Sequence, residues 1–369
     1  MKIGILTYHR AHNYGAMLQA YALRTFLQDN GYVVDFIDYW PQYHNRQYAL
    51  IRQILGNSIS QKCVNLISNI LTFWRRYKRR FVFEQFRKQY LQLPQKARYS
   101  QRESAILDNY DCIIVGSDQI WRNRHTGGKY LGWDKTYFCQ TMSTRHCISY
   151  AASMGVICLD DIEREQLAQY LKRFDTLLVR EQSLCDLIKG CGYSAEVVLD
   201  PTLLFTKEKW NCILPRTSFR RYPYVLYYEL LPDASALRIA MVKAAELGCK
   251  LLIIDASIHT IPRRRHIQYA SPIEFMHAIR DAKFVVATSF HGTAFSLIFE
   301  KQFITTGLQN NADRVLTLLQ AVGIPEHYQT CPLDSIPVID YSLVSQALDI
   351  LRHESQTLLL DAINKPHKQ

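Results

Sequence analysis

The stretch from Phe284 to Ile298 constrains the fold more tightly than any other part of the chain. The apolar run Phe284-Val285-Val286-Ala287 gives way at once to Thr288-Ser289-Phe290-His291-Gly292-Thr293, and a second apolar run at helical spacing follows. A buried strand, a tight turn and a helix beginning near Gly292 fit that pattern. His291 then lies at the carboxyl edge of a sheet, beside the free N–H groups of a helix start. Anions settle in such places, and open α/β sheets hold their ligands there. An imidazole can pass a proton to whatever the anion carries. The plainer reading is a histidine that only plugs a βα turn; its place at a strand end favours function.

The same alternation runs through the chain. Ile3 to Tyr8 reads as a strand, His9 to Gly15 as a polar loop, Ala16 to Asn30 as a helix closed by Gly31, and Val33 to Tyr39 as the next strand. Strands at Cys112–Val115, Cys147–Ala152, Leu177–Glu181 and Val197–Pro201 complete a largely parallel sheet. The pattern then restarts, with strands from Tyr224, Leu251, Phe284 and Phe303 and helices at 235–247, Pro272–Ala282 and Ala294–Glu300. Alternating strands and helices mean parallel α/β. Two such sets in 369 residues mean two Rossmann-like domains facing across a cleft. The expected divisions are 1–205, with a basic helical excursion at 48–95, then 206–340, then a helix and tail at 341–369 that return to brace the first domain.

Met1 to Thr7 is a short apolar run that meets a polar loop by His9, so it reads as a strand and not a signal peptide. No run approaches the roughly 20 apolar residues of a spanning helix. Ten cysteines are scattered without a C-x-x-C pair, and most read as small core hydrophobes in a reducing, cytoplasmic compartment. The net charge of +11 is concentrated between Leu50 and Tyr90. Nine Lys or Arg (Arg52, Lys62, Arg75, Arg76, Lys78, Arg79, Arg80, Arg87, Lys88) stand there against Glu84, a net of +8. Ile51, Ile54, Leu55, Ile59, Val64, Leu66, Ile67, Ile70, Leu71, Phe73 and Trp74 share that stretch. It suits an interfacial helix on an anionic membrane, or an excursion whose apolar face packs on its own domain with the basic face solvated. The second reading leads slightly. No nucleic-acid-binding motif accompanies the charge.

Polar residues gather at the strand ends. Asn13-Tyr14-Gly15-Ala16 opens the first helix with a small-residue turn that lets a ligand approach the backbone. Gly116-Ser117-Asp118-Gln119-Ile120-Trp121 offers a carboxylate, an amide and an indole that could bind and stack a sugar, or an Asx turn that closes a strand. Arg180-Glu181 ends a strand with an arginine suited to phosphate or carboxylate, or with a structural ion pair. No metal constellation stands out, because Asp118, Asp200 and Asp255 lie on separate strands with no histidine at useful spacing.

Together these segments resemble the polysaccharide pyruvyl transferase family from about residue 3 to residue 320. The likeness rests on Asn13–Leu23, Gly116–Trp121, Tyr150–Gly155, Val179-Arg180-Glu181, Leu199-Asp200-Pro201-Thr202, Ser271–Phe275 and Ser289–Thr293, in that order. It implies a GT-B-like twin Rossmann fold. It also implies transfer of an enolpyruvyl-derived unit from phosphoenolpyruvate to two hydroxyls of a sugar, giving a cyclic pyruvate ketal, with no cofactor and phosphoenolpyruvate as co-substrate. The family's general-acid histidine maps onto His291 and its donor-holding arginine onto Arg180. Many members carry an arginine two residues before the histidine. Here Ser289 stands at that position, and Arg314 is the nearest cation to replace it.

The site expected on this basis has His291 as acid, Arg180 and Arg314 as clamp, and Ser289, Gly292 and Thr293 around the donor. Asn13, Tyr14, Gly15, Asp118, Gln119 and Trp121 hold the acceptor. A helix start opposes an imidazolium by roughly 0.3–1 kcal/mol, whereas an anion about 4 Å away favours it by about 4 kcal/mol. The expected acceptor is a capsule or exopolysaccharide repeat unit linked to a lipid diphosphate, met at an anionic membrane surface. Two other readings stay open at this point: a GT-B-type glycosyltransferase using a nucleotide sugar, and a non-catalytic glycan-assembly protein.

Overall fold

Strand β1 (Lys2–Leu6) is buried from Ile3 onward and runs into the expected polar loop. In this computed structural model, residues 1–45, 48–51, 58–107, 109–123, 125–126, 129–130, 132–144, 146–259, 266–308, 312–329 and 337–365 are described. Asn13 is extended and its Oδ1 accepts the Ala16 N–H at 3.1 Å. That bond satisfies one donor left free by helix α1 (Tyr14–Asp29). Beyond α1, Gly31 takes φ +84°, where a side chain would be strained, and the chain enters β2 (Val33–Phe36). After the long helix α2 (Ile59–Phe86) come β3 (Cys112–Val115), β4 (Cys147–Ala152), α3 (Asp161–Leu171), β5 (Thr176–Val179), α4 (Gln182–Gly190) and β6 (Glu196–Val197). The strands lie in the order β2-β1-β3-β4-β5-β6, all parallel.

The second half repeats the plan. Its elements are β7 (Tyr224–Glu229), α5 (Ala234–Glu246), β8 (Lys250–Asp255), β9 (His266–Ile267), α6 (Pro272–Asp281), β10 (Phe284–Ala287), α7 (Phe290–Ile298), β11 (Phe303–Thr306), α8 (Asp313–Ala321) and β12 (Tyr328–Gln329). The order is β9-β8-β7-β10-β11-β12, again parallel throughout. Each sheet therefore changes direction beside its first strand, at β1/β3 and at β7/β10, which opens the crevice where such sheets bind ligands. Helices cover both faces, so β3 and β10 are buried at every residue and read as unbroken apolar runs. The two-domain Rossmann-like α/β architecture expected from the sequence is present.

The halves meet along their carboxyl edges. Tyr14 stacks on Phe275 with ring centres 4.6 Å apart and planes 3° apart. Ser183 Oγ donates to Asp313 at 2.6 Å. Helix α9 (Tyr341–Asn364) runs back across the first half. Its Ser355 Oγ accepts the Leu199 N–H at 3.0 Å, and Arg352 Nε and Gln356 Nε2 donate to the Leu203 and Leu204 carbonyls. Residues 366–369 of the expected tail lie outside the described residues.

Helix α2 is amphipathic in the inverted sense. Its inward face is polar: Asn69, Thr72, Arg76 and Arg79 are buried, with only Phe83 and Phe86 as apolar company. Arg76 Nη1 donates to Leu50 O and Asn69 Oδ1. Arg79 donates to the carbonyls of Asp255, Gln268 and His12, tying the two halves together. The outward face carries Ile59, Val64, Leu66, Ile67, Ile70, Leu71, Phe73, Trp74 and Tyr77, each more than 40% exposed. The leading expectation, an apolar face packed on its own domain, is therefore reversed. Arg76 and Arg79 are not solvated charges: their guanidinium groups are turned inward onto carbonyl oxygens. Arg52, Ile54 and Leu55 of the same stretch lie outside the described residues. Among the described residues no helix is long and apolar enough to cross a membrane.

Of the nine described cysteines, all free, Cys112, Cys139, Cys147 and Cys185 are buried and Cys63, Cys158 and Cys212 are exposed. The expectation that most pack in the core is too generous.

Candidate active site at the domain junction

His291 sits in the first turn of α7, which begins at Phe290 and not near Gly292. The cap explains the shift. Ser289 is extended and its Oγ accepts the Gly292 N–H at 2.9 Å, so the helix gains a turn that the small residues Gly292 and Thr293 seemed to withhold. Ser289 is thus a buried cap with its hydroxyl engaged. Thr293 is also turned inward, its Oγ1 on the Ser289 carbonyl at 3.0 Å and on Thr305 Oγ1 at 2.6 Å. Ser289, Gly292 and Thr293 shape the turn and do not offer the anion contacts expected of them. A Cβ at Gly292 would lie 2.7 Å from that of Ala287, so the turn tolerates no larger residue there.

The imidazole closes the junction from the second half. Gly15 lies so near that a Cβ there would fall 1.9 Å from His291 Nδ1. The glycine of the Asn13–Gly15 turn is needed because a side chain of the other half occupies its place. Nε2 of His291 points toward Asp200 Oδ2, 3.7 Å away. A carboxylate counter-charge therefore stands beside the imidazole in addition to the helix start.

Asp200, fully buried after β6, organises the rest. Its Oδ2 accepts Arg180 Nη1 at 2.7 Å and Ser117 Oγ at 2.9 Å, and its Oδ1 accepts the Thr202 N–H and Oγ1. Burial pushes its carboxyl up, but His291, Arg180 and the Thr202 N–H outweigh it and hold the group well below the usual carboxylate range. Arg180 therefore pairs with Asp200 and not with its neighbour Glu181, which corrects the structural reading of Arg180-Glu181. Glu181 instead accepts Ser153 Oγ and the N–H groups of Met154 and Gly155 through Oε1. Burial raises its carboxyl against the pull of Arg180 and Arg314.

One carboxylate does not use up the cations around it. Arg180 Nε and Nη2, Arg314 Nε and His291 Nε2 are all buried with no hydrogen-bond partner among the described residues. Burial and the neighbouring Arg180 lower Arg314 to about 10. Arg180, Asp200, Phe290 and Arg314 line one small cavity of about 80 Å³, and the Arg180 guanidinium lies 4.8 Å from the Phe290 ring centre. Buried unpaired donors of like charge are costly unless an anion completes them.

The expected acceptor residues divide. Asn13 caps α1 and Gly15 touches His291. Tyr14 is buried in the interface of the halves. Asp118, at φ +81°, accepts the Gln119 N–H on its Oδ1, a bond to the next residue and not the two-residue reach of an Asx turn, and Gln119 lies over Gly155. Both remain partly exposed. Trp121 is not a sugar platform: it is fully buried, stacked on Phe138, with Nε1 donating to the Tyr137 carbonyl. An indole with an internal acceptor packs as a core residue. None of the expected acceptor residues lines the cavity of about 640 Å³ in the first half, whose walls include His12, Trp40, Tyr48, Arg80, Arg87 and Lys96. Burial, then Arg79, Arg87 and Arg80, pull His12 down to about 3, which marks the surroundings as cationic.

Asp255 departs from the expectation that no aspartate has a histidine partner. His266 Nδ1 stands 3.0 Å from both its oxygens, and Glu229, Asp255 and His259 bring ligand atoms within 4.8 Å of one another. The sequence signal was the four-residue step from Asp255 to His259. Asp200 stood in the sequence within Leu199-Asp200-Pro201-Thr202, but nothing in its spacing from residues 180 and 291 gave it a role.

Among solved structures, the UDP-GlcNAc 2-epimerase of Neisseria meningitidis bound to UDP-GlcNAc is 9% identical over 99% of this chain and 100% of that one, with a TM-score of 0.46. The UDP-GlcNAc 2-epimerase of Methanocaldococcus jannaschii is 13% identical over 100% and 94%, with a TM-score of 0.43. The E. coli heptosyltransferase WaaC with ADP-2-deoxy-2-fluoro heptose is 11% identical over 95% and 99%, with a TM-score of 0.36. No curated protein matches. A family model described as polysaccharide pyruvyl transferase matches residues 13–310, a span that holds the Asn13–Gly15 turn, Arg180, Asp200 and His291; the chain belongs to the polysaccharide pyruvyl transferase family.

Proposed function

We propose that this protein transfers the enolpyruvyl-derived unit of phosphoenolpyruvate to two hydroxyls of a saccharide, forming a cyclic pyruvate ketal on a bacterial capsule or exopolysaccharide repeat unit. The observation that carries the reading is the set of buried, unpartnered donors of Arg180, Arg314 and His291 around Asp200. A small dianionic or trianionic donor fits them. His291 gives a proton to the methylene carbon, which leaves a cation at the carbon bearing phosphate. One sugar hydroxyl adds there and loses its proton; the C–O bond to phosphate breaks with its electron pair on phosphate. The second hydroxyl adds to the same carbon, loses its proton and closes the ketal. Arg180 and Arg314 hold phosphate and carboxylate while charge shifts between them. The saccharide enters from the side of the 640 Å³ cavity, where Trp40 and Tyr48 offer aromatic walls.

Binding tests this directly. Phosphoenolpyruvate should raise the melting temperature of the whole chain, and a panel of nucleotide sugars should not. Arg180→Lys keeps a charge near Asp200 but loses the fork. Donor KM should rise about tenfold or more, since a charge-assisted hydrogen bond contributes about 1.5–3 kcal/mol. Stabilisation by a nucleotide sugar alone would hand the site to glycosyl transfer.

The outward face of α2 supports a lipid-diphosphate-linked acceptor met at an anionic membrane. Lys62 is exposed, and Lys78 lies over the rings of Trp74 and Tyr269. Apolar residues beside cations suit insertion at the headgroup level. Ile70→Ser with Trp74→Ala should weaken binding to phosphatidylserine vesicles by more than about tenfold, and Lys62→Gln with Lys78→Gln by about 1 kcal/mol per charge. Turnover on a soluble short acceptor should not change. Equal vesicle binding by all variants would remove the membrane from the proposal.

A further inference from the structure

We propose that the cavity of about 640 Å³ beside the carboxyl end of α2 is a second anion site, resting on the acceptor reading above, in which Arg80, Arg87 and Lys96 take the diphosphate of an isoprenoid-linked saccharide. Arg80, Glu84 and Arg87 recur at steps of four and three, so they share one stripe of the helix. All three line the cavity with Arg10 and Lys96, and Glu84 is the only acid among its described lining residues.

That acid does not neutralise the wall. Glu84 Oε1 accepts Arg80 Nε at 2.7 Å and lies 4.0 Å from Arg87 Nη2, so one carboxylate stands between two guanidinium groups. Arg87 is 5% exposed, and its Nε is buried with no hydrogen-bond partner among the described residues. Burial, then Arg10, lower Arg87 to about 10, which leaves it charged at neutral pH. Arg10 adds nothing to the excess, because it is committed to Asp38 and to the carbonyls of Pro94, Gln95 and Lys96. Lys96 is exposed. Residues 46–47 and 52–57, which adjoin the lining segment Tyr48–Ile51 in sequence and lie outside the described residues, contain Arg46 and Arg52 and no acid. Arg80, Arg87 and Lys96 against Glu84 leave a net of +2 (three cations less one acid). A diphosphate diester, with one negative charge on each phosphate, balances it. A buried guanidinium without a partner is costly until an anion completes it, and the planar fork of arginine matches phosphate oxygens.

Position selects the kind of diphosphate. The exposed apolar residues of α2 run from Ile59 to Phe81, on the helix that then presents Arg80, Glu84 and Arg87. An isoprenoid chain needs an apolar surface or a bilayer beside its headgroup; a nucleotide does not. The saccharide then leads toward the junction of the halves. His12 lines the cavity, and Gly15, which abuts His291, is three residues on, at most about 11 Å along an extended chain. Burial, then the Asp118 carboxylate, push the Tyr48 hydroxyl up. The same carboxylate acts on Arg314, against burial and Arg180. Asp118 is thus within electrostatic reach of both the cavity wall and the donor cluster.

The test is calorimetry on the whole chain with farnesyl diphosphate, farnesol and UDP-glucose, beside the melting shift given by phosphoenolpyruvate. Farnesyl diphosphate should bind at one equivalent, at least about tenfold more tightly than farnesol or UDP-glucose, and Arg87→Gln should weaken it at least about tenfold. Lys96→Gln, at an exposed position where folding is not at stake, should weaken it in the same direction. The melting temperature of Arg87→Gln without ligand should not fall, because Glu84 keeps Arg80 and the buried Nε had no partner; a merely structural arginine would lower it. The phosphoenolpyruvate shift should be the same in Arg87→Gln as in the parent, since that donor is held by Arg180 and Arg314. If phosphoenolpyruvate gives no shift while farnesyl diphosphate binds through Arg87, the transferase reading fails and the second anion site stands. If farnesyl diphosphate binds no better than farnesol or UDP-glucose, or if Arg87→Gln and Lys96→Gln bind it as tightly as the parent, the cavity does not hold a carrier diphosphate and the proposal is wrong.

Discussion

His291→Ala is expected to fold like the parent and to lose roughly 10²–10⁴-fold in kcat, the usual yield of a positioned general acid. The structural cost should be small. The side chain contributes no hydrogen bond from Nε2, Gly15 loses a neighbour without being forced to move, and Asp200 keeps Arg180, Ser117 and Thr202. His291→Asn should be nearly as inactive, because an amide can donate a hydrogen bond but cannot deliver a proton. Phosphoenolpyruvate should still bind both variants, as Arg180 and Arg314 remain. Single-turnover rates with an unaltered melting temperature decide the matter. Near-parental turnover in either variant would remove His291 from the chemistry.

The fold was legible because its signals are redundant. Continuous apolar runs as short as Cys112–Val115 and Phe284–Ala287, each followed at once by turn residues, suit strands buried on both faces. The two-residue edge strands β9 and β12 carry no such run; they are strands because β8 and β11 present open edges to them. Helix α7 starts early for a similar reason. Glycine and threonine weaken a helix by propensity, but the Ser289 cap and burial of the whole turn override that preference.

The site was half legible. His291 and Arg180 follow from strand ends, whereas their common partner Asp200 follows only from tertiary placement, since nothing in the spacing between residues 180, 200 and 291 announces a contact. Trp121 shows the opposite error, a residue type suited to sugars that the fold needed as core. For α2, the periodicity was right and the inward face wrong, because sequence cannot reveal that buried carbonyls of both halves await Arg76 and Arg79.

Asp200→Asn should destabilise the protein by about 3–5 kcal/mol at neutral pH, the usual consequence of stranding one partner of a buried ion pair. Arg180, 1% exposed at its side chain, would keep its charge with no carboxylate hydrogen-bonded to it. The pH dependence gives the loss a signature. Because the folded-state pKa of Asp200 is depressed, its stabilisation is fully present above the unfolded value of about 3.9 and fades as pH falls from there toward the folded value. The gap between parent and variant should therefore be widest near neutrality and narrow below about pH 4. Asp38 is also held low by His9 and Arg10 against its own burial, so acid lability in general persists and only the difference between the two proteins reports on Asp200. A second consequence separates this role from a merely structural one. With its carboxylate gone, the Arg180–Arg314–His291 cluster has more positive charge to offer, so phosphoenolpyruvate should raise the melting temperature of Asp200→Asn by more than that of the parent. Equal shifts, or a stability gap that does not narrow in acid, would mean that Asp200 does not balance the cations of an anion site.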